Sequence, residues 1–305
     1  MIYDVSHRTT FLYEEPVSIS HHVLHLEPRS SPRQTSLRSA VIVDPAPSVR
    51  SAGRDYFGNP TIHLTIQDPH ERLVVHATSR IEKQAGRPVD FDRSQSWEEV
   101  RRRLESSTDA ATLDACPFAF ASPYVATDGE VLEFALPSFP SGRPILAAAA
   151  DLTARLHREF EYRGGVTDVS TPVDQVLRSK KGVCQDFAHL QIACLRRLGL
   201  PARYISGYLM TRPPAGQEKL VGADASHAWV SVWCPDVGWV DFDPTNNLLP
   251  ADEHVTLAWG RDYGDVSPIN GFMVGGGSHK VSVAVDVALA AEPRGSRMEG
   301  GDREP

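Results

Sequence analysis

The chain reads as an α+β protein in which a helix carrying a cysteine packs on an antiparallel sheet, with an all-β sandwich in front. Three observations predict this. Polar and apolar residues alternate in short runs over 39–43, 61–66 and 73–81, with Pro and Gly between them. A helical period appears after Cys184, where Phe187, Leu190, Cys194 and Leu198 recur at three- to four-residue spacing. Two runs rich in β-branched and aromatic residues, 226–233 and 239–245, lie a turn apart.

Taken in order, 1–83 is the β-sandwich domain and 84–140 a connector, whose 96–106 stretch is a short charged helix. The triplet Arg101-Arg102-Arg103 on it is a solvated face rather than a binding patch. The core runs over 141–290. It opens with a helix at 144–160, where Leu146, Ala150, Leu152 and Leu156 keep a near-helical interval. The helix after Cys184 stops at Gly199, with Pro201 just beyond. Strands at 202–211, 227–233 and 238–243 form the sheet, and 279–289, alternating Val281, Val283, Val285 and Val287, is a closing edge strand of this core. Gly275-Gly276-Gly277 has no helix after it and is not a phosphate loop. The tail, 291–305, is expected to be disordered.

Cys184 sits where a helix begins, so the free N–H groups of the first turn favour a thiolate there and can also receive an oxyanion. If Trp233 pairs with Trp239, position 245 falls opposite His227 and Asp243 becomes its diagonal neighbour, about 7 to 8 Å away before the side chains lean together. Asp241 lies two residues further off. Cys184 as nucleophile, His227 as base and Asp243 as the group orienting the imidazole complete a triad. Asp186 complements the helix dipole, His189 points off the Cys184 face and is structural, and Gln185 has the residue type of an oxyanion-hole amide. Trp229 shares the face of His227, as a cleft wall or as core.

The blocks GVCQDFAHL at 182–190, GLPARYISGYL at 199–209, SHAWVSVW at 226–233 and GWVDFDPTNN at 238–247 resemble the bacterial transglutaminase-like proteins. The likeness extends to GRDYGDVSPINGF at 260–272, and to HRTTFLYEEPVSISHHVLHLEPR and DYFGNP near the N-terminus. It implies a papain-like transglutaminase core behind an N-terminal bacterial transglutaminase-like β domain, with the nucleophile at Cys184, the base at His227 and the third member at Asp243. It also implies thiol-dependent acyl transfer at amide bonds of peptides or proteins, glutamine side chains included, through a Cys184 acyl-enzyme. Hydrolysis of the cysteine peptidase or amidase type and transamidation both follow from that intermediate. Gln185 stands where animal transglutaminases carry a tryptophan, and no EF-hand-like acidic loop is present. Two other readings compete: a non-catalytic adaptor of papain-like shape, and acyl transfer to a small amine from a thioester donor.

Composition sets the remaining bounds. A formal net charge of -8 argues against nucleic acid as a partner. Cys116, Cys194 and Cys234 show no metal-type spacing, so no metal or cofactor is expected. Four cysteines in 305 residues, no signal-like leader and no long apolar run point to a cytoplasmic protein with no membrane partner. The Pro- and Gly-rich segment 212–225, between a core strand and the His227 strand, is expected to cover the cleft and set specificity.

Overall fold

The computed structural model describes residues 1–86, 88–127, 130–211 and 225–290. The expected cleft-covering segment at 212–224 and the tail at 291–305 lie outside the described residues. The N-terminal strands are β1 (Ile2–Leu24), β2 (Gln34–Asp44), β3 (Val49–Arg54), β4 (Pro60–Ile66) and β5 (His70–Lys83). Helices α1 (Trp97–Ser106), α2 (Ala110–Ala115), α3 (Val131–Ala135) and α4 (Ile145–Glu159) follow. A short parallel pair, β6 (Glu161–Tyr162) and β7 (Lys181–Gly182), flanks α5 (Val173–Ser179) and leads into α6 (Cys184–Arg197). The chain then forms β8 (Ala202–Leu209), β9 (Ala225–Cys234), β10 (Gly238–Phe242), β11 (His254–Gly260), α7 (Tyr263–Val266), β12 (Ile269–Gly275) and β13 (His279–Leu289).

β1 organises the N-terminal sheet. Its first half pairs with β5 on one side and β13 on the other, and its second half pairs with β4 and β12. The register breaks around Glu14-Glu15-Pro16, where proline supplies no N–H to the ladder, and the strand bends there. Val41, Leu73 and Val75 from one half-sheet thereby share an apolar cluster with Leu24, Ile62, Leu64 and Ile66 from the other. The glycine triplet lets the partner strands follow the bend. Gly275, Gly276 and Gly277 all have positive φ, and a Cβ on Gly275 would stand 2.6 Å from the Pro16 carbonyl oxygen.

The strand at 279–289 does not join the sheet that carries His227. It pairs antiparallel with β1, from Tyr3 opposite Leu289 to Tyr13 opposite His279; Val285 and Val287 are buried with the inward face of β1, while Val281 and Val283 stay exposed. Val285 and Val287 join Tyr3, Val5 and Ile81 in the main core, so the C-terminus of the described chain completes the N-terminal sheet. The 84–140 segment is likewise more than a link. Val100, Ala115, Val125, Val131, Ala135 and Phe139 are buried in the same core as α6.

The second sheet has the order β10-β9-β8-β11, all antiparallel. α6 packs across β9 and β8 on one side and against α3, α4 and α5 on the other. It is therefore buried nearly all round, from Asp186 to Arg196, where the apolar spacing pointed to a single buried face. Its polar core residues are hydrogen-bonded: Gln191 donates to Thr153, and Arg196 donates to the carbonyls of Phe118, Ala202 and Arg261 and to Ser122. Gly199, at φ 77°, ends the helix as a left-handed cap residue.

DYFGNP docks the two regions. Asp55 accepts from the Phe57 and Asn59 backbone and from the Asn59 amide, fixing the turn. Asn59 is then held to β11 by paired hydrogen bonds with the backbone N–H and C=O of Trp259. Gln34 makes the same kind of two-way contact with Thr256.

Candidate active site

The N-terminus of α6 is built by residues two before and two after the cysteine. Asp186 Oδ2 accepts the backbone N–H of Val183 at 2.8 Å and the Thr167 hydroxyl at 2.7 Å. Its carboxylate folds back over Gly182, where a Cβ would lie 2.8 Å from both Asp186 Cβ and Oδ2. Glycine at 182 is thus a packing requirement of the cap. Burial raises the Asp186 carboxyl above its ordinary range, against the opposing pull of these hydrogen bonds. Cys184 remains half-buried, whereas Cys194 and Cys234 are fully buried and burial pushes the Cys194 thiol up to about 12.

The hairpin pairs Trp239 with Trp233 and Phe242 with Val230, so Asp243 continues opposite Trp229 and diagonal to His227. His227 Nε2 and Asp243 Oδ2 are 2.8 Å apart. Asp241 is turned to a different task, accepting the Trp229 indole N–H at 3.2 Å. The DPTN turn fixes the carboxylate. The Thr245 and Asn246 N–H groups donate to Asp243 Oδ1, while Asn246 Nδ2 donates to Oδ2 at 2.7 Å. With Nε2 engaged, His227 presents Nδ1 as its other ring nitrogen, and Cys184 stands close enough to the imidazole to raise its pKa. The structure thus brings Cys184, His227 and Asp243 together.

Burial alone would push the His227 imidazole down. The hydrogen bonds and charges of Asp243 and Cys184 outweigh it and hold the pKa at about 9. Asp243, completely buried, would rise for the same reason, but the donors from His227, His254 and Asn246 keep it well below the usual carboxylate range. The pair is a buried carboxylate beside an imidazole that holds its proton through neutral pH.

His254 and Asn246 were not singled out from the sequence. His254, 3% exposed at the start of β11, donates from Nε2 to Asp243 Oδ2 at 3.1 Å, so the carboxylate serves two imidazoles. β11 is not legible in the sequence because 254–260 is one short run just after Pro250, whereas the Asn-Asn following DPT lies within the GWVDFDPTNN block. Trp229 is core: fully buried, it lies over Gly207, where a Cβ would be 2.5 Å from the indole, and meets the His254 ring edge-on. Gln185 Nε2 points to the Val169 carbonyl at 3.3 Å. His189, buried and off the cysteine's face, accepts the Tyr263 N–H, and burial pulls its pKa to about 4.

His227, Asp243 and His254 also place three ligand-type atoms within 4.8 Å of one another, the one such cluster among the described residues. The 2.8 and 3.1 Å contacts from the two imidazoles to the same oxygen are ordinary hydrogen-bond lengths, which accounts for the cluster without a cation.

Residues 3–82 match the family described as the bacterial transglutaminase-like N-terminal region, and residues 140–244 match the transglutaminase-like superfamily. An uncharacterized protein of Mycobacterium tuberculosis is 39% identical over 295 residues, covering 93% of this chain and 92% of the relative. A protein-glutamine gamma-glutamyltransferase of Pseudomonas aeruginosa is 33% identical over 111 residues, which is 35% of this chain and 17% of that protein. The crystal structure of a candidate cysteine protease from Cytophaga hutchinsonii superposes with a TM-score of 0.73 at 23% identity, covering 96% of this chain and 92% of that one. The two matched regions and the near full-length relatives show that the chain belongs to the bacterial transglutaminase-like family, with its N-terminal β region and transglutaminase-like core.

Proposed function

We propose that this protein is a cysteine enzyme that transfers acyl groups from amide bonds of peptides or proteins, with Cys184 as nucleophile, His227 as acid–base and Asp243 as its orienting carboxylate. The observation that carries this is the 2.8 Å His227–Asp243 hydrogen bond on an imidazole that also meets the Cys184 thiol. Cys184 Sγ attacks the amide carbonyl while His227 delivers its proton to the departing nitrogen, so the C–N bond breaks as the S–C bond forms. The tetrahedral oxyanion is received by the free N–H groups at the start of α6. Water or an amine then attacks the thioester, returns a proton to His227 and frees Cys184. Asp243 holds the imidazole in one orientation throughout and stabilises its cationic form.

The four cysteines stand as free thiols, which fits a reducing, cytoplasmic setting. No helix among the described residues is long and apolar enough to cross a membrane.

The test is to incubate the protein with a blocked glutamine peptide, with and without a primary amine, and follow products by mass spectrometry. A gain of one amine at glutamine indicates transamidation; deamidation or chain cleavage indicates hydrolysis. No product from several peptides, together with a Cys184 no more reactive than Cys116, would leave an adaptor as the better reading.

A further inference from the structure

Two arginines are buried in the core region, and they are treated differently. Arg196 has its guanidinium fork filled by three carbonyls and a hydroxyl. Arg203, near the start of β8 and only 9% exposed, stacks between two indoles, 3.8 Å from the Trp259 ring and 4.3 Å from that of Trp239. Its Nε is buried without a hydrogen-bond partner, and no carboxylate among the described residues lies within ion-pair distance. Asp241, whose charge attracts Arg203, accepts the Trp229 indole N–H. Arg29 stacks on Trp259 as well and adds like charge. A buried cation is costly to leave unpaired, and stacking on aromatic faces compensates in part only.

Arg203 lines a groove of about 1840 Å³ between the N-terminal region and the β8–β11 face of the second sheet. That exceeds the roughly 300–1,000 Å³ of small-ligand pockets, and suits a length of polypeptide. Its walls carry Tyr56, 82% exposed, with Phe57, Phe118 and Trp239. Asp90, Asp114 and Asp236 line its rim together with Arg33 and Arg93, and Asp236 is paired with Arg103. Arg203 is four residues along β8 from Gly207, the partner of His227, which puts the groove about 13 Å from the triad by strand rise.

The geometry points to a docking site in this groove for an extended polypeptide segment bearing an acidic side chain, whose carboxylate accepts from Arg203 while neighbouring apolar side chains rest on Tyr56 and Phe57. It deepens the proposed function, resting on polypeptides being the substrates, by giving them a second point of attachment away from Cys184.

The probe is a fluorescein-labelled, terminally blocked peptide, Ala-Leu-Gly-Glu-Gly-Leu-Ala, titrated by anisotropy against the full chain and compared with the version carrying Met for Glu. The Glu peptide is expected to bind at least tenfold tighter, Arg203→Gln to erase that difference, and Tyr56→Ala, at an exposed position, to weaken the Glu peptide severalfold. Equal affinity of the two peptides, a preference that survives in Arg203→Gln, or binding that needs a free C-terminal carboxylate would overturn the proposal. Should Arg203→Gln fail to fold, the peptide comparison and Tyr56→Ala decide. Because the reading is binding, a docking failure is separable from a catalytic one: the first leaves Cys184 reactivity untouched, and the second leaves the Glu preference in place.

Discussion

Asp243 accepts five hydrogen bonds, from two backbone N–H groups, the Asn246 amide and two imidazoles. Each bond to a charged group is worth about 1.5–3 kcal/mol. Removing one donor should therefore loosen the imidazole rather than abolish it. His254→Gln is expected to slow turnover by about tenfold to a hundredfold while substrate KM stays put, and Asp243→Asn by about four orders of magnitude. A His254→Gln enzyme with unchanged turnover and an unchanged pH profile would remove His254 from the positioning role. Alkylation by limiting iodoacetamide at pH 6–7 should label Cys184 at least tenfold faster than Cys116, and His227→Ala should erase the difference. Stability carries the same signature. A folded-state pKa of about 9 against 6.5 for a free imidazole means His227 binds its proton more tightly in the folded protein. That contribution, roughly 3 kcal/mol, is complete below pH 6.5 and disappears as pH rises through 9. Urea unfolding of the wild type and His227→Gln at pH 6 and pH 10 reads it directly: the gap between them should shrink at the higher pH.

At the scale of elements, the start of α6 depends on a glycine that the helix itself does not contain. Gly182→Ala sets a methyl 2.8 Å from the Asp186 carboxylate, so Asp186 must leave the Val183 N–H or the backbone must shift. The expected loss is about 1–3 kcal/mol, read as a lowered urea midpoint, together with slower Cys184 alkylation. A variant of wild-type stability would show that Asp186 caps without needing that space. The hairpin is the element most legible in the sequence. Its two aromatic-rich runs and the turn between them specify a register through local alternation, and that register alone selects Asp243 over Asp241. His254 was not legible. Its strand meets Asp243 only because β11 lies beside β8, a neighbour remote in sequence, and a one-strand pattern carries no information on which strand it will join.

For the whole molecule, the first strand and the last described strand belong to one sheet. β13 supplies Val285 and Val287 to a core that includes Tyr3 and Val5 as well as α6. The full protein is expected to unfold in one cooperative transition and a chain ending before His279 in more than one, with far-UV circular dichroism and tryptophan fluorescence no longer coincident in urea. Unchanged midpoints by both probes would mean that β13 is dispensable. The boundaries expected at 83 and 140 fall within segments whose apolar residues are shared, since Ile81, Val100 and Phe139 enter the same cluster.

Local pattern was enough for the α+β class, the helix that begins at Cys184 and stops at Gly199, and the hairpin that sets Asp243 diagonal to His227. Periodicity, caps and turns act over a few residues, and the sequence displays them directly. Which strands become neighbours was decided only in three dimensions. The pairing of β13 with β1, the second imidazole on Asp243 and the arginine held between Trp239 and Trp259 arise from contacts between segments far apart in the chain. Their physical basis is the burial of faces against each other, and a face has no partner until the chain has folded.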